Sequence, residues 1–244
     1  MLLDDTELKR WQSVADTVAT GLDPATGLFE QFAGYFDLED IDLTQYAGRS
    51  VPMDVVLGRE RTQQSRVVKQ ADVVALLGLL PEEFKGEAAA ANFRYYEPRC
   101  SHGSSLSPAM HGLVAARLGD TEMALGFLRK TADIDLADTQ VATDGGIHIA
   151  ALGGIWMLTV FGFAGLSVRE DGVDIDPHLP GEWQSLTFRV QWRGRCLKIA
   201  IDRDRRIAEV ALEAGEPMIF SIRDERHELR QGLGLRVPTG RVDE

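Results

Sequence analysis

Apolar residues recur at helical spacing through the first two-thirds of the chain. Between residues 7 and 20 they lie three or four positions apart, on one face of a predicted helix, and Gly21 follows as a stop signal. Further helices with short connections are predicted over residues 67–80, 82–95, 107–118, 121–133 and 149–163. Some of these helices are apolar on most sides and others are amphipathic, which is the pattern that a layered barrel of helices requires.

The stretch from residue 23 to residue 49 has no sustained periodicity, although it contains several glycines and a cluster of aromatic residues. Loops of this length in compact domains are either functional or disordered, and the aromatic content argues against disorder. We therefore predict an ordered loop that is packed by its own rings.

After Gly165 the period changes to two, because apolar and polar residues alternate as they do in a half-buried strand. Strand-like runs follow at residues 186–192, 197–201, 207–212 and 218–222. The predicted fold is mainly α with a small antiparallel β unit at the C-terminus. We place the boundary near Leu166, between a helical domain of residues 1–165 and a β domain of residues 166–244.

Composition and charge narrow the function classes. The 244 residues are 44% hydrophobic, and 38 acidic residues outnumber 26 basic ones, for a net charge of −12. Nucleic acid is therefore not an expected partner. Cys100 and Cys196 form no C-x-x-C pair, so neither a disulfide framework nor a zinc knuckle is predicted. The chain has no signal-peptide pattern and no apolar run near the ~20 residues of a membrane span. We expect a soluble, cytoplasmic protein with no membrane partner.

A run of small polar residues precedes the helix predicted at residue 107. Backbone amides at a helix start, together with hydroxyl and imidazole donors, favour an anion such as phosphate. The residues of this candidate phosphate loop are Ser101, His102, Gly103, Ser104 and Ser105. The alternative is structural: Ser105 or Ser107 caps the helix and His102 packs against it.

Two other motifs contain candidate site residues. Lys69 and Gln70 lie at the start of an otherwise apolar predicted helix, where they need partners or ligand hydroxyls; alternatively, Lys69 extends to solvent from the helix edge. Glu97 lies between Tyr96 and Pro98, a partly apolar setting that raises the pKa of a carboxylate toward the range of a general base. The alternative for Glu97 is a structural carboxylate that binds loop amides.

His148 follows two glycines and precedes an Ala/Gly-rich predicted helix. We interpret it as a supporting residue rather than a catalyst, since histidines in such positions usually have a structural partner. Asp133, Asp135 and Asp138 lack the glycine of a calcium-binding loop, so a solvated acidic face is expected there and no metal site is predicted.

Several of these motifs occur in a fixed order along the chain. They are Gln31-Phe32 with Gly34-Tyr35-Phe36, Lys69-Gln70-Ala71-Asp72, Tyr95-Tyr96-Glu97-Pro98, the run from Ser101 to Ser107, and Asp144-Gly145-Gly146-Ile147-His148-Ile149-Ala150 with Gly153-Gly154 and Trp156. In this order the chain, from about Gln31 to its end, resembles glycoside hydrolase family 65. The family contains kojibiose, maltose and trehalose phosphorylases and related hydrolases.

The resemblance implies half of an (α/α)6 barrel followed by a small C-terminal antiparallel β-sandwich. It also implies that Lys69 and Gln70 bind the glucosyl unit, that residues 101–105 hold inorganic phosphate, and that Glu97 is the base position of hydrolytic members. The implied reaction proceeds with inversion: an acid protonates the glycosidic oxygen while phosphate, or water activated by Glu97, attacks the opposite face of the sugar. Phosphate would be a co-substrate, and no cofactor is expected.

One departure from the family limits this expectation. Family members are much longer, and their general acid lies in a segment upstream of everything in this sequence, whereas inverting hydrolysis needs two carboxyl groups. We therefore expect the C-terminal portion of a phosphorylase or hydrolase of α-glucosyl disaccharides, inactive without the upstream half or a homo-oligomeric partner. The alternative is a non-catalytic carbohydrate-binding or interaction remnant. A smaller departure is Cys100, where threonine is expected.

Overall fold

The computed structural model describes residues 4–49, 51–70, 72–137, 146–223 and 225–239. A helical part is followed by two β-sheets, as the change of period after Gly165 predicts. The helices, numbered in chain order, are α1 Asp5–Thr17, α2 Met53–Leu57, α3 Arg59–Gln63, α4 Asp72–Leu79, α5 Gly86–Tyr96, α6 Ser107–Arg117, α7 Thr121–Leu136 and α8 Ile149–Met157. Short 3₁₀ helices span Tyr35–Asp37, Leu43–Tyr46 and Glu97–Arg99, and a π-helix, Leu158–Phe163, continues α8.

Helix α6 is the centre of the helical part. It packs against α4, α7, α8 and the π-helix, and its residues are buried on most sides. Small residues allow the close approach of its neighbours: a Cβ on Gly154 of α8 would lie 2.5 Å from the Cβ of Ala109, and one on Gly78 of α4 would lie 3.1 Å from Leu113. Helices α4, α6 and α8 thus lie side by side; α5 packs against α4, and α7 packs against α6 and α8.

The prediction of one helix over residues 67–80 is wrong in its first part. Helix α4 begins only at Asp72, and the preceding segment is extended. The amide of Val68 donates to the carbonyl of Arg99 at 3.0 Å, and the amide of Ser101 donates to the carbonyl of Val68 at 2.8 Å. This bridge to a distant segment uses the backbone groups that a helix would need, so Lys69 and Gln70 precede the helix rather than begin it.

The aromatic loop is ordered, as predicted, but its rings pack mainly against α5. Tyr35 is fully buried and stacks on Tyr96 of α5 with ring centroids 5.6 Å apart, and its hydroxyl donates to the carbonyl of Arg66 at 2.7 Å. Phe36 meets Tyr95 edge to face at 5.6 Å. The loop is therefore held by rings from both sequence segments.

The C-terminal part consists of two four-stranded sheets, with strand orders β1-β2-β6-β7 and β3-β4-β5-β8. The strands are β1 Ser167–Val168, β2 Gly172–Ile175, β3 Ser185–Trp192, β4 Arg195–Asp202, β5 Ile207–Ala214, β6 Met218–Ile222, β7 Glu225–Leu229 and β8 Gly234–Pro238. Pairing is antiparallel except between β2 and β6, which are parallel. The alternation in β4 buries Leu197, Ile199 and Ile201 against the facing sheet, so the period-two pattern marks the core face.

A tight connection joins the helical part to the sheets. Gly165 has φ +62°, and a Cβ there would lie 2.0 Å from the carbonyl oxygen of Asp176, so only glycine fits. The Asp176 carboxylate binds Arg223 and the Nε2 atom of His178. Phe163 meets the ring of Trp183 at 4.9 Å, which extends the apolar contact between the two parts.

Candidate active site

The bridge between Val68 and Cys100 brings two of the predicted motifs together. It places Lys69 and Gln70 beside the loop formed by residues 101–105, although more than thirty residues separate the two segments in sequence. A Cβ on Gly103 would lie 3.5 Å from Cγ of Lys69, so the lysine side chain passes directly over that glycine. The candidate sugar-binding and phosphate-binding residues therefore form one continuous site.

Gln70 connects the two motifs through its side chain. Its Nε2 atom donates to Oγ of Ser104 at 2.8 Å. Gln31 supports Gln70 from the aromatic loop, since its Nε2 atom donates to the carbonyl of Gln70 and to the Asp72 carboxylate, both at 3.0 Å. The amide of Val73 in turn donates to Oε1 of Gln31 at 3.4 Å. Gln31 thus fixes the start of α4 and the segment that carries Gln70.

The hydroxyl of Ser107 is the centre of a second hydrogen-bonded cluster. Its Oγ atom lies 3.1 Å from Sγ of Cys100, 3.1 Å from Nδ1 of His102 and 3.3 Å from Nδ1 of His111. The Nδ1 atom of His111 also lies 2.9 Å from the carbonyl oxygen of Ser107, which can only accept, so this nitrogen carries the proton. The first turn of α6 therefore orients both imidazoles.

Neither Ser105 nor Ser107 caps helix α6. The residue before the helix is Leu106, which has no capping side chain, and the hydroxyl that meets a loop amide is that of Ser104, which accepts from Leu106 at 3.3 Å. His102 does pack, as the structural alternative requires, with its ring 5.2 Å from that of Phe127. The hydroxyls of Ser104 and Ser107 thus form hydrogen bonds within the loop and with its histidines and do not cap the helix.

Both histidines of the cluster are neutral at physiological pH. Burial lowers the pKa of His102 to about 3, with a smaller effect of the same sign from His111, Lys130 and Arg49. Burial also lowers the pKa of His111 to about 4, against a hydrogen bond to Ser107 that raises it. A phosphate at this loop would therefore receive hydrogen bonds from neutral imidazole rather than from imidazolium.

Glu97 begins the short 3₁₀ helix that precedes the loop. Burial raises the pKa of its carboxylate, nearby Lys130 opposes that rise and Asp120 adds to it. The direction is the one that the flanking Tyr96 and Pro98 predict from sequence. A rise in pKa is the direction that makes a carboxylate a stronger base for proton transfer.

His148 is held by a carboxylate that the sequence analysis assigned to a solvated face. Its Nδ1 atom lies 2.9 Å from Oδ1 of Asp135, and its backbone amide donates to the same carboxylate at 3.0 Å. The Asp135 side chain is only 9% exposed, so the expectation of a fully solvated acidic face is wrong at this position. Asp138, Asp144 and Gly145 lie outside the described residues.

A cavity of about 640 Å³ lies on the face shared by α4, α6 and α8. Its polar lining includes Gln70, Asp72, Ser107 and His111, which link it to both hydrogen-bonded clusters. Most of the remaining lining is apolar and includes Trp156 of α8. A mainly apolar cavity with a few converging polar groups is typical of a small-molecule site.

Comparison with known proteins decides the family. The family model described as the glycosyl hydrolase family 65 central catalytic domain matches residues 1–157, and that of the family 65 C-terminal domain matches residues 166–229. The chain belongs to glycosyl hydrolase family 65. Both parts of the fold are thus accounted for by family 65 domains, in the order that the sequence motifs imply.

Curated relatives of this family 65 chain include phosphorylases named for kojibiose and for trehalose. Kojibiose phosphorylase of Halothermothrix orenii is 36% identical over 203 residues, which are 83% of this chain and 26% of the relative. Alpha,alpha-trehalose phosphorylase of Geobacillus stearothermophilus is 30% identical, over 99% of this chain and 32% of the relative. A solved structure named "Putative kojibiose phosphorylase from human microbiome" superposes with a TM-score of 0.85 at 26% identity, over 96% of this chain and 31% of that one. The chain spans about a quarter to a third of the length of these relatives.

The structure adds residues that the sequence analysis did not single out. The guanidinium of Arg49 donates to the carbonyl of Ser101 at 2.6 Å. Lys130 lies over the ring of Phe127 at 5.3 Å and interacts electrostatically with Glu97 and with both histidines. His111 could have been found from its spacing, because it lies one helical turn after Ser107; Arg49 and Lys130 lie in segments with no local signal.

Proposed function

We propose that this chain supplies the glucosyl- and phosphate-binding side of an inverting family 65 phosphorylase that acts on α-glucosyl disaccharides. The observation that carries the proposal is the hydrogen bond from Gln70 to Ser104, which joins the sugar-binding motif to the phosphate loop. Phosphorolysis requires the sugar carbon and the phosphate to be held next to each other. A direct side-chain link between the two subsites meets that requirement.

The charges around the loop support an anion as the second ligand. The chain as a whole carries a net charge of −12, yet Arg49 binds the backbone of the loop and Lys130 lies near its histidine. The phosphate loop offers hydroxyl, imidazole and backbone donors directly before α6, from Ser101, His102, Gly103, Ser104 and Ser105. Two cations and several neutral donors match a phosphate dianion, whose hydrogen bonds to such groups are charge-assisted.

A hydrolase is the second candidate, and Glu97 favours it. Its raised pKa suits a general base that takes a proton from water, a step that anionic phosphate does not need. In an assembled enzyme, Glu97→Gln should reduce hydrolysis by about 10²- to 10⁴-fold, the usual range for loss of a general base, and leave phosphorolysis largely intact. Equal loss of both reactions would assign Glu97 a structural role instead.

Exposed apolar faces on two helices indicate that further segments of a family 65 barrel pack against this chain. Helix α1 has no buried residue although its apolar face includes Trp11, 52% exposed, and Val14, 58% exposed. On α8, Ile149 and Trp156 lie on one face and are 79% and 48% exposed. Exposed stripes of this kind mark contact surfaces. We propose that the remaining helices of the barrel cover them and supply the general acid, within the same polypeptide or from a second one.

The first experiment tests phosphate binding by this chain. Inorganic phosphate should raise the melting temperature above that in sodium chloride of equal ionic strength, since a ligand that binds only the folded state stabilises it. His102→Ala should reduce the rise, whereas His227→Ala, a histidine of β7, should leave it unchanged. An equal response of all three proteins would remove His102 from the site.

The second experiment tests catalysis. With kojibiose, maltose or trehalose and phosphate, the chain alone should release no glucose 1-phosphate. Mixing with a polypeptide that carries the upstream region of a family 65 phosphorylase should produce the β-anomer, because inversion at an α-glucoside gives a β-linked product. Turnover by the chain alone would contradict the proposal that its active site lacks the general acid. Sugar binding without turnover in the mixture would favour the non-catalytic alternative.

A further inference from the structure

Three residues with metal-ligating atoms converge beside the phosphate loop. The ligand atoms of Cys100, His102 and His111 lie within 4.8 Å of one another. We propose that these three side chains form a binding site for a thiophilic divalent cation of the zinc class. Neither the family match nor the proposed phosphorolysis assigns a metal to this chain, so the site would be an additional property of it.

The donor set fits such a cation. Zinc binds thiolate sulfur at about 2.3 Å and imidazole nitrogen at about 2.0–2.1 Å in tetrahedral geometry, and three protein ligands leave one position open. Tetrahedral ligand atoms of one thiolate and two imidazoles are then about 3.3–3.6 Å apart. Closure from the present arrangement therefore requires ligand movements of only about 1 Å, a shift that side-chain rotation provides.

Burial and hydrogen bonding also suit the proposed site. Cys100 is 5% exposed and His111 is 1% exposed, so bound metal would be shielded from competing water. The Nδ1 atom of His111 donates to the carbonyl of Ser107, while its Nε2 atom is buried without a hydrogen-bond partner among the described residues. A histidine whose second nitrogen donates to a backbone carbonyl is the usual form of a metal ligand.

The hydroxyl of Ser107 lies 3.1 Å from Sγ of Cys100 and 3.1 Å from Nδ1 of His102, and 3.3 Å from the protonated Nδ1 of His111, so it has to rotate away when the cation enters. Binding also requires the Cys100 thiol to release its proton to solvent, since thiolate is the ligand form. Arg49 and Lys130 face the cluster and disfavour an added positive charge. The thiolate offsets that repulsion, so Cys100 is the ligand on which affinity depends most.

Cobalt is the probe, because Co²⁺ accepts the same ligands as zinc and its complexes have absorption bands that zinc complexes lack. Titration of the reduced full chain, in a buffer without phosphate or chelator, should produce a thiolate-to-cobalt charge-transfer band that saturates at one equivalent, and Zn²⁺ should abolish it. Cys100→Ser should remove the band. The matched control is Cys196→Ser, which removes the thiol in β4 and should leave the band unchanged.

Two further variants separate metal binding from a structural role. Ser107→Ala should retain or strengthen the band, because it removes the hydroxyl that the cation must displace. His111→Gln should weaken the affinity by more than about tenfold, because it removes a proposed ligand and even the loss of a residue that only orients a ligand costs about that much. Circular dichroism establishes whether each variant is folded. If Cys100→Ser does not fold, the test is instead whether folded His102→Gln loses the charge-transfer band.

The proposal is overturned if the unmodified chain shows no charge-transfer band at millimolar Co²⁺, or if the band persists in folded Cys100→Ser. Because His102 is also a proposed phosphate ligand, zinc should weaken the phosphate response of the melting temperature; this expectation rests on the proposed function. The cobalt spectrum involves no phosphate, so failure of phosphate binding and failure of metal binding are distinguished.

Discussion

The side-chain amide of Gln70 donates a hydrogen bond to the hydroxyl of Ser104 at 2.8 Å, across two segments separated by 34 positions in sequence. Gln31 holds the backbone of Gln70 from a third segment. A residue that would contact the sugar is thereby fixed to a residue that would contact phosphate, so occupancy of one subsite can influence the geometry of the other.

A double-mutant cycle measures this link. Gln70→Ala and Ser104→Ala should each lower the free energy of unfolding by about 0.5–1 kcal/mol, and the double variant should lose less than the sum, with a coupling energy of roughly 0.5 kcal/mol. Denaturant unfolding of the four proteins gives the values. Strict additivity would show that the hydrogen bond adds nothing to stability.

Glu97 should lower stability at neutral pH. Its folded-state pKa is raised by burial, so the ionised form is disfavoured in the folded protein and the penalty appears as pH rises above the unfolded pKa. Glu97→Gln should therefore raise the melting temperature at pH 8, with a gain that shrinks toward pH 4. Glu83→Gln, at an exposed glutamate, is the control and should show no such trend. A loss of stability at pH 8 would mean that the carboxylate is structural.

The carboxylate of Asp176 should stabilise the junction between helices and sheets. Burial raises its pKa, but hydrogen bonds from His178 and Arg223 outweigh that effect and lower the pKa to about 2. The stabilisation is present above the unfolded value of 3.8 and is lost as pH falls toward 2. Because the side chain is half exposed, we expect Asp176→Asn to cost about 1 kcal/mol at pH 6.

Melting curves between pH 6 and pH 2 check this expectation. The difference between Asp176→Asn and the unmodified chain should narrow below pH 4. Asp171→Asn, which removes an exposed partner of Arg226, should have a much smaller effect at every pH. A constant difference across the whole range would exclude ionisation of Asp176 as its source.

Neighbouring glycines of α8 should respond in opposite ways to alanine. A Cβ on Gly154 would lie 2.5 Å from the Cβ of Ala109, whereas one on Gly153 would meet nothing within 4 Å. Gly154→Ala should therefore destabilise by about 1–3 kcal/mol through overpacking of α6 against α8. Gly153→Ala should be neutral or stabilise by up to about 1 kcal/mol, because alanine favours the helix. Chemical denaturation of both variants measures the contrast, and similar values would contradict the close helix approach.

The described part of the chain contains no helix long and apolar enough to cross a membrane, which agrees with the absence of a long apolar run in the sequence. Hydrophobic periodicity was sufficient to predict most of the helices and the alternating strands, because burial of one face imposes a period on the sequence. It failed at residues 67–70, which lie before the helix rather than within it, because Val68 pairs with Cys100 in an isolated bridge. It also missed the short helices α2 and α3 and the short strands β1, β2, β7 and β8, whose few residues carry too little pattern.

The residues of the candidate site also fall into two groups, those that the sequence predicts and those that only the tertiary structure brings to the site. Local sequence identified Glu97, Lys69, Gln70 and the 101–105 loop, because their residue types and order are visible within short motifs. Only the tertiary structure brought Arg49, His111 and Lys130 to that loop. It also showed the hydrogen bond between Asp135 and His148. Contacts between distant segments depend on how helices pack, and a pattern of period 3.6 or two specifies which face is buried but not which partner covers it.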